Sequence, residues 1–339
     1  MTHEHPGVGR ASPTLDDVAR ASGVSRATVS RVVNGGHLVS SATMAAVHEA
    51  ITRLGYRPNR AARALVSRRT GAVAVVVPET NDRVFSDPFF GMAYQGALEA
   101  FRGMDVQVLL AMAQPGEEAA SMARYLGSGH VDGAIVLSHH GPEVARQLAT
   151  GSHPVVFIGD PEVPGLPYVD LDQPEASAMA TRHLIERGAT RIASITGPMD
   201  MHAGMERLSG FEAALAEAGL APVAVAEGDF TLRGGEEAAA QLLERAPDLD
   251  ALFIASDLMA LGALRTLRRA ARRVPEDVAV VGFDDSSAAL QASPQLTTVT
   301  NPACELARTA SEMLLRMLSG TKPESPAILH SQLVVRQSA

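Results

Sequence analysis

Residues 25–34 read SRATVSRVVN, and on a helix of 3.6 residues per turn Arg26, Ala27, Ser30 and Arg31 share one face. Val29, Val32 and Val33 mark the opposite, inner face. Two guanidinium groups and a hydroxyl near a helix N-terminus suit the base edges and phosphates of a DNA major groove, because arginine binds guanine or phosphate bidentately. Catalytic chemistry has no comparable constellation. There is no GxSxG elbow, P-loop or HExxH, and the adjacent His139 and His140 lack a metal-ligand pattern. Asp284 and Asp285 are neighbours in a strand-to-loop turn, which makes no paired-carboxylate site. These residue types predict a DNA-binding chain that is not an enzyme and carries no cofactor or metal.

The elements that must position this face are two short helices and a turn. Thr14 with Asp17 three residues on is a capping-box pattern, and Leu15, Val18 and Ala19 then form one apolar face. Gly23 breaks that helix and Ser25 caps the next. A third amphipathic helix follows Ser40, with Met44, Val47, Ile51 and Leu54 at 3-4-3 spacing, and ends at Gly55. Periodicity alone equally suits any small helical domain. Charge adds a second signal: residues 1–69 hold ten arginines against four acidic residues, a net of +6, which leaves −15 for the remainder and −9 overall. A cationic head on an anionic body favours phosphate at one end and repels it elsewhere. Lys322 is the only lysine, although such arginine usage also follows from a GC-rich genome.

At 339 residues and 46% apolar content the chain is long enough for two or three domains with real cores. The lone Cys304 excludes an intrachain disulfide framework and suits a reducing cytosol. No early apolar run resembles a signal peptide, and no stretch of 18 apolar residues spans a bilayer, so a cytoplasmic protein with no membrane partner is expected.

Residues 14–69 resemble the DNA-binding headpiece and hinge of the LacI/GalR family of bacterial transcriptional repressors, through VSRATVSRVVN and GYRPNRAARAL. The resemblance implies that Arg26, Ala27 and Thr28 read bases, and that Ser30, Arg31 and Asn34 hold backbone or base edges. Thr14, Ser25, Tyr56 and Asn59 complete the implied DNA contacts. It also implies that Asn59 to Leu65 forms a hinge helix only on DNA, with Leu65 wedged into a minor-groove step beside the small Ala62. Read without the resemblance, Leu65 is an ordinary core leucine of a connecting helix, in a segment otherwise too polar to pack.

After Thr70 short apolar runs alternate with helical patterns. The runs are AVAVVV (72–77), VQVLLA (106–111), GAIVL (133–137), VVFIG (155–159), RIASIT (191–196), VAVAEG (223–228), ALFIAS (251–256) and VAVVGF (278–283). Helices carry Met179, Ala180, His183 and Leu184, closed by Gly188, and Leu208, Phe211, Leu215 and Ala218, closed by Gly219. This alternation predicts an α/β chain of doubly wound parallel sheets, two rather than one, behind the all-α headpiece. LVVRQ (333–337) is expected to add an edge strand. The body resembles the same family's periplasmic-binding-protein-like core, two lobes linked by three crossovers and closing on a small molecule. The expected organisation is a disordered tail over 1–13, a helix-turn-helix domain over 14–57, a hinge helix and linker over 58–70, and an effector-binding and dimerisation core over 71–339. Lobe one is expected at about 71–170 and 300–330, and lobe two at about 171–299.

By that resemblance Arg207, in MERLSGF, matches the arginine that grips sugar hydroxyls, and Asp284, after VVGF, matches the acidic hydroxyl acceptor. Ser256 and Asp257 end the ALFIAS strand at effector-contact positions; Ser256 stands where a lactose-type member has Asn, so effector identity is not inherited from that member. Phe89 and Phe90, after Asp87-Pro88, either stack on a pyranose face or pack in the core. FSDPFF, GPMDMHAGMERLSGF and EGDFT are similar to the cellobiose-responsive repressors of the family. The implied protein is a homodimer on a near-palindromic operator, released by cellobiose or another cello-oligosaccharide acting as inducer. A different effector, a corepressor sign and a sugar-binding solute receptor are the alternatives. The receptor would carry a signal peptide and no headpiece.

Overall fold

The computed structural model describes residues 13–33, 39–56, 69–112, 119–151 and 153–339. Asn34, Asn59, Ala62, Leu65 and the tail before Pro13 lie outside the described residues. The chain divides into one unit ending at Thr70 and another from Gly71 to Ala339.

The first unit holds α1 (Leu15–Ser22), α2 (Arg26–Val33) and α3 (Ser41–Leu54). Thr14 begins α1 with a complete capping box: its hydroxyl accepts from the Asp17 amide at 3.3 Å, and Asp17 accepts from the Thr14 amide at 2.9 Å. Gly23 closes α1 at φ +68°, a left-handed conformation that glycine adopts without a Cβ clash. The Ser25 hydroxyl then accepts from the Thr28 amide at 3.2 Å and starts α2. Val18, Val29 and Val47 are wholly buried where the three helices meet, with Val32, Ala50 and Tyr56 around them. A core this small leaves a narrow stability margin. Thr14→Ala should therefore lower headpiece stability by about 1 kcal/mol, read as an earlier thermal transition of the isolated headpiece by circular dichroism.

The second unit runs β1 (Ala72–Val77), α4 (Asn81–Ser86), α5 (Pro88–Ala100), β2 (Gln107–Met112), α6 (Ala119–Tyr125), β3 (Gly133–Leu137), α7 (Gly141–Leu148), β4 (Val155–Ile158) and β5 (Tyr168–Leu171). It continues with α8 (Gln173–Glu186), β6 (Ile192–Thr196), α9 (His202–Glu217), β7 (Val225–Glu227), α10 (Leu232–Arg245), β8 (Ala251–Ile254), α11 (Asp257–Arg269) and β9 (Ala279–Val281). Last come α12 (Ser287–Gln291), β10 (Thr298–Val299), α13 (Ala303–Leu318), β11 (Ala327–Leu329) and β12 (Leu333–Val334).

Two parallel sheets result, ordered β11-β5-β4-β3-β1-β2 and β7-β6-β8-β9. Continuous apolar runs such as β3, buried at all five positions, are what a strand covered on both faces requires. The chain passes between the sheets after Leu171, again between β10 and α13, and a third time after β11, when β12 returns to pair with β10. Leu333 and Val334 of LVVRQ pair antiparallel with Thr298–Val299, and Val281 and Asp284 bridge Thr297 and Thr300 in parallel, so this short ribbon lies along the β9 edge of the four-stranded sheet. Three strands were not read from the sequence: β5 is interrupted by Asp170, and β10 and β11, at two and three residues, are too short to stand out as apolar runs. Among the described residues no helix is long and apolar enough to cross a membrane.

Candidate functional site

The carboxyl ends of both parallel sheets face one cleft, the place where open α/β sheets take ligands. Its cavity is about 670 Å3, counting the open mouth. From the six-stranded half come Arg83 on α4, Asp87 and Phe89 at the start of α5, His139 after β3, and Asp170 in β5. From the four-stranded half come Gln173, His202, Arg207, Phe230 and Asp284, with Asn301 from the return crossing.

Arg207 is the centre of this arrangement. It is 4% exposed, holds its guanidinium carbon 3.7 Å from the centre of the Phe283 ring, and donates from Nε to Gln173 at 2.9 Å and from Nη1 to the Ala255 carbonyl at 2.6 Å. The Asp284 carboxyl stands 3.7 Å away and accepts from the Asn301 side-chain Nδ2 at 3.0 Å. Gly210, one helical turn on, makes this position possible: a Cβ there would strike the Pro174 carbonyl, so α9 packs directly on the start of α8 and brings Arg207 to Gln173.

Burial dominates the electrostatics. It pulls the Arg207 guanidinium down from its ordinary pKa, against the opposing charges of Asp284, Asp170, Asp87 and Asp257. Burial raises Asp87 and Asp170, and it raises Asp284 although Arg207 opposes the rise. His139 is lowered by burial and favours the neutral imidazole. Among the described residues, several buried polar atoms have no hydrogen-bond partner: Arg83 Nε, His139 Nδ1 and Asn301 Oδ1. Ser138, Phe230 and Asp284 hold φ values of +58°, +61° and +111°, left-handed conformations that cost non-glycine residues energy. Orphaned donors and acceptors, strained backbone and the aromatic faces of Phe89 and Phe230 together suit a neutral polyhydroxylated ligand, which supplies both hydrogen-bonding senses and apolar ring faces.

The effector-contact residues read from the sequence divide here. Arg207, Asp284 and Phe89 line the cleft. Phe90 does not: it is 4% exposed in the core, edge-on to Phe89. Ser256 and Asp257 are also behind the wall. Ser256 caps α11 by accepting from the Met259 amide at 3.2 Å. Asp257, wholly buried, accepts from Thr298 Oγ1 at 2.6 Å and the Ser286 amide at 2.7 Å, so its carboxylate is spent on tying the return crossing down. Arg83, Asp87, His139, Asp170, Gln173, His202, Phe230 and Asn301 were not legible as cleft residues, because they sit on different helices, strands and loops that only the sheet order brings together.

On the headpiece, Arg26, Ala27 and Arg31 are exposed on α2, opposite the buried Val29 and Val32. Ser25 and Thr14 are exposed and serve as caps, while Thr28 and Ser30 are half-buried. Arg26 also lies 3.7 Å from the Asp16 carboxylate. Tyr56 departs from the expected DNA-contact set. It is 7% exposed and closes the three-helix core, because its position just after Gly55 turns the ring back under α3.

Residues 14–59 match the lacI family of bacterial regulatory proteins, and residues 181–339 match a periplasmic binding protein-like domain. The chain is 46% identical to the HTH-type transcriptional regulator CelR of Thermobifida fusca, over 97% of this chain and 99% of that protein. It is 33% identical to catabolite control protein A of Priestia megaterium, over 96% of this chain and 98% of the relative. Among solved structures, a complex of transcriptional regulator CelR with cellobiose aligns with a TM-score of 0.76 at 43% identity, covering 96% of this chain and all of that one. The lac repressor dimer bound to operator aligns at 0.87 with 26% identity, covering 97% and 99%. This chain belongs to the lacI family of bacterial regulatory proteins.

Proposed function

We propose that this chain is a cytoplasmic transcriptional repressor without enzymatic activity. In this reading a homodimer binds a near-palindromic operator, and cellobiose or another cello-oligosaccharide releases it as an inducer. The observation that carries the effector reading is the cleft centred on Arg207 and Asp284. It presents a buried guanidinium, a buried carboxyl and unpartnered Arg83, His139 and Asn301 atoms, beside two aromatic rings. Support for the sugar class comes from likeness to a regulator solved with cellobiose, at 43% identity over 96% of this chain. Support for the dimer on DNA comes from likeness to a lac repressor dimer solved on its operator.

In the proposed switch, Arg26, Ala27 and Thr28 read bases, while Ser25, Ser30, Arg31 and Asn34 hold the duplex. Asn59, Ala62 and Leu65 form the hinge contact, and Leu65 wedges the minor groove. The effector acts only to the extent that it binds the DNA-free conformation more tightly. A 100-fold fall in operator affinity needs about 2.7 kcal/mol of such coupling, inside the usual allosteric range. Fluorescence anisotropy on a labelled palindromic operator tests this directly. Cellobiose or cellotriose should lower operator affinity, and lactose, maltose and glucose should not. Indifference to every sugar would remove the effector assignment, and tighter binding would make the sugar a corepressor.

A further inference from the structure

In a groove that shares Arg83 with the cleft, the His140 imidazole touches two carboxylates on different halves of the core. Nε2 lies 3.0 Å from Glu79 Oε1, after β1, and Nδ1 lies 2.9 Å from Asp200 Oδ2, between β6 and α9. Glu79 Oε1 also accepts from Ser138 Oγ at 2.6 Å and pairs with Arg83, the guanidinium that lines the cleft. A neutral imidazole has one N–H and one lone pair, so it can donate to only one of these carboxylates and must face the other with a lone pair. Only the imidazolium satisfies both.

We propose that His140 is a positioning residue for the effector cleft: as an imidazolium it straps Asp200 to Glu79 across the two halves and, through Glu79, holds Arg83 in place. The inference rests on the sugar reading of the cleft. His139, next in the chain, also interacts with His140 electrostatically, but burial keeps its own imidazole toward the neutral form. Glu79 and Asp200 favour the cation, Arg83 opposes it from behind Glu79, and Asp82, Asp229 and Arg233 line the groove outside. The Glu79 hydrogen bond, working against burial, raises the His140 pKa above the ordinary 6.5. The strap is therefore complete at lower pH and is lost as pH rises through that raised value. Losing it frees one half from the other and loosens Arg83, so effector affinity falls as the solution becomes alkaline.

The test is calorimetric titration of the full-length protein with cellobiose from pH 6 to pH 9, in the wild type, His140→Gln and His140→Arg. In the wild type the dissociation constant should rise about tenfold over that range, equivalent to 1.4 kcal/mol. His140→Gln should be weak at both ends, and His140→Arg, a permanent cation with several donors, should stay tight at pH 9. The cleft carboxyls remain in all three proteins, so the difference between profiles belongs to residue 140. A flat wild-type profile, or an unchanged slope in His140→Gln, overturns the proposal. A second readout needs no sugar: in long-range 1H–15N NMR both His140 nitrogens should stay protonated above pH 6.5, and Asp200→Asn should lower that titration. If cellobiose fails to bind at any pH, the sugar reading falls. The NMR titration then decides the strap, and an ordinary His140 pKa unmoved by Asp200→Asn would overturn it.

Discussion

Arg207→Ala should abolish the response to sugar while leaving operator binding without sugar within about twofold. The ligand loses a desolvated charge-assisted donor, a contact of about 1.5–3 kcal/mol. The cleft also loses the cation nearest Asp284, 3.7 Å away, leaving the more distant Arg83 to face that carboxyl together with Asp87 and Asp170. Truncating one partner of a buried charge pair costs about 3–5 kcal/mol, so cellobiose affinity should fall at least about 100-fold, with lower thermal stability of the core. Arg207→Lys should not rescue it. One ammonium cannot reproduce the fork that reaches Gln173 and the Ala255 carbonyl while covering the Phe283 ring. Calorimetry with cellobiose and operator anisotropy on the same preparations separate the two activities. An unchanged sugar dose curve would take Arg207 out of the site.

Val29→Asp should do the reverse. Val29 is wholly buried at the centre of a core in which, among the described residues, Val18, Val32, Val47, Ala50 and Tyr56 are buried around it. Burying an unpaired carboxylate costs several kcal/mol even after relaxation, about as much as a domain this small has to lose. The headpiece should unfold, and operator affinity should drop to the non-specific level, a fall of about 1,000-fold or more. The second unit has its own sheets and its own core, so cellobiose affinity should stay within about twofold. A Val29→Asp protein that still binds operator specifically would show that α2 does not need this packing.

The headpiece was the most legible part of the chain, because its signals are local. Thr14, Gly23, Ser25, Ser40 and Gly55 act within four residues of themselves, and each stands where its spacing predicted. Tyr56 was misplaced since ring direction after a helix C-cap is a tertiary matter. Most parallel strands were legible from apolar runs, but β5 was hidden by Asp170. That carboxyl is buried in the strand and satisfied by the amides of Asp160 and Leu171 and by the Gln173 side chain, which are partners no periodicity reveals.

Phe89 and Phe90 show the boundary most plainly. Neighbours on a helix point about 100° apart, so one of them had to turn from the cleft, and only the packing of α5 decided that Phe90 is the one in the core. By itself the sequence determined the fold class and the helix-turn-helix, and it singled out Arg207 and Asp284, which stand in the cleft, through local caps, periodicity and family likeness. Tertiary structure alone decided that Ser256 and Asp257 stand behind the wall and that Arg83, His139, Gln173 and Asn301 stand in it. The reason is that the cleft is assembled from loops at the ends of strands scattered over more than two hundred residues. Their convergence is a property of sheet order, which pairs β1 with β3 and β6 with β8, and that order is written in long-range contacts.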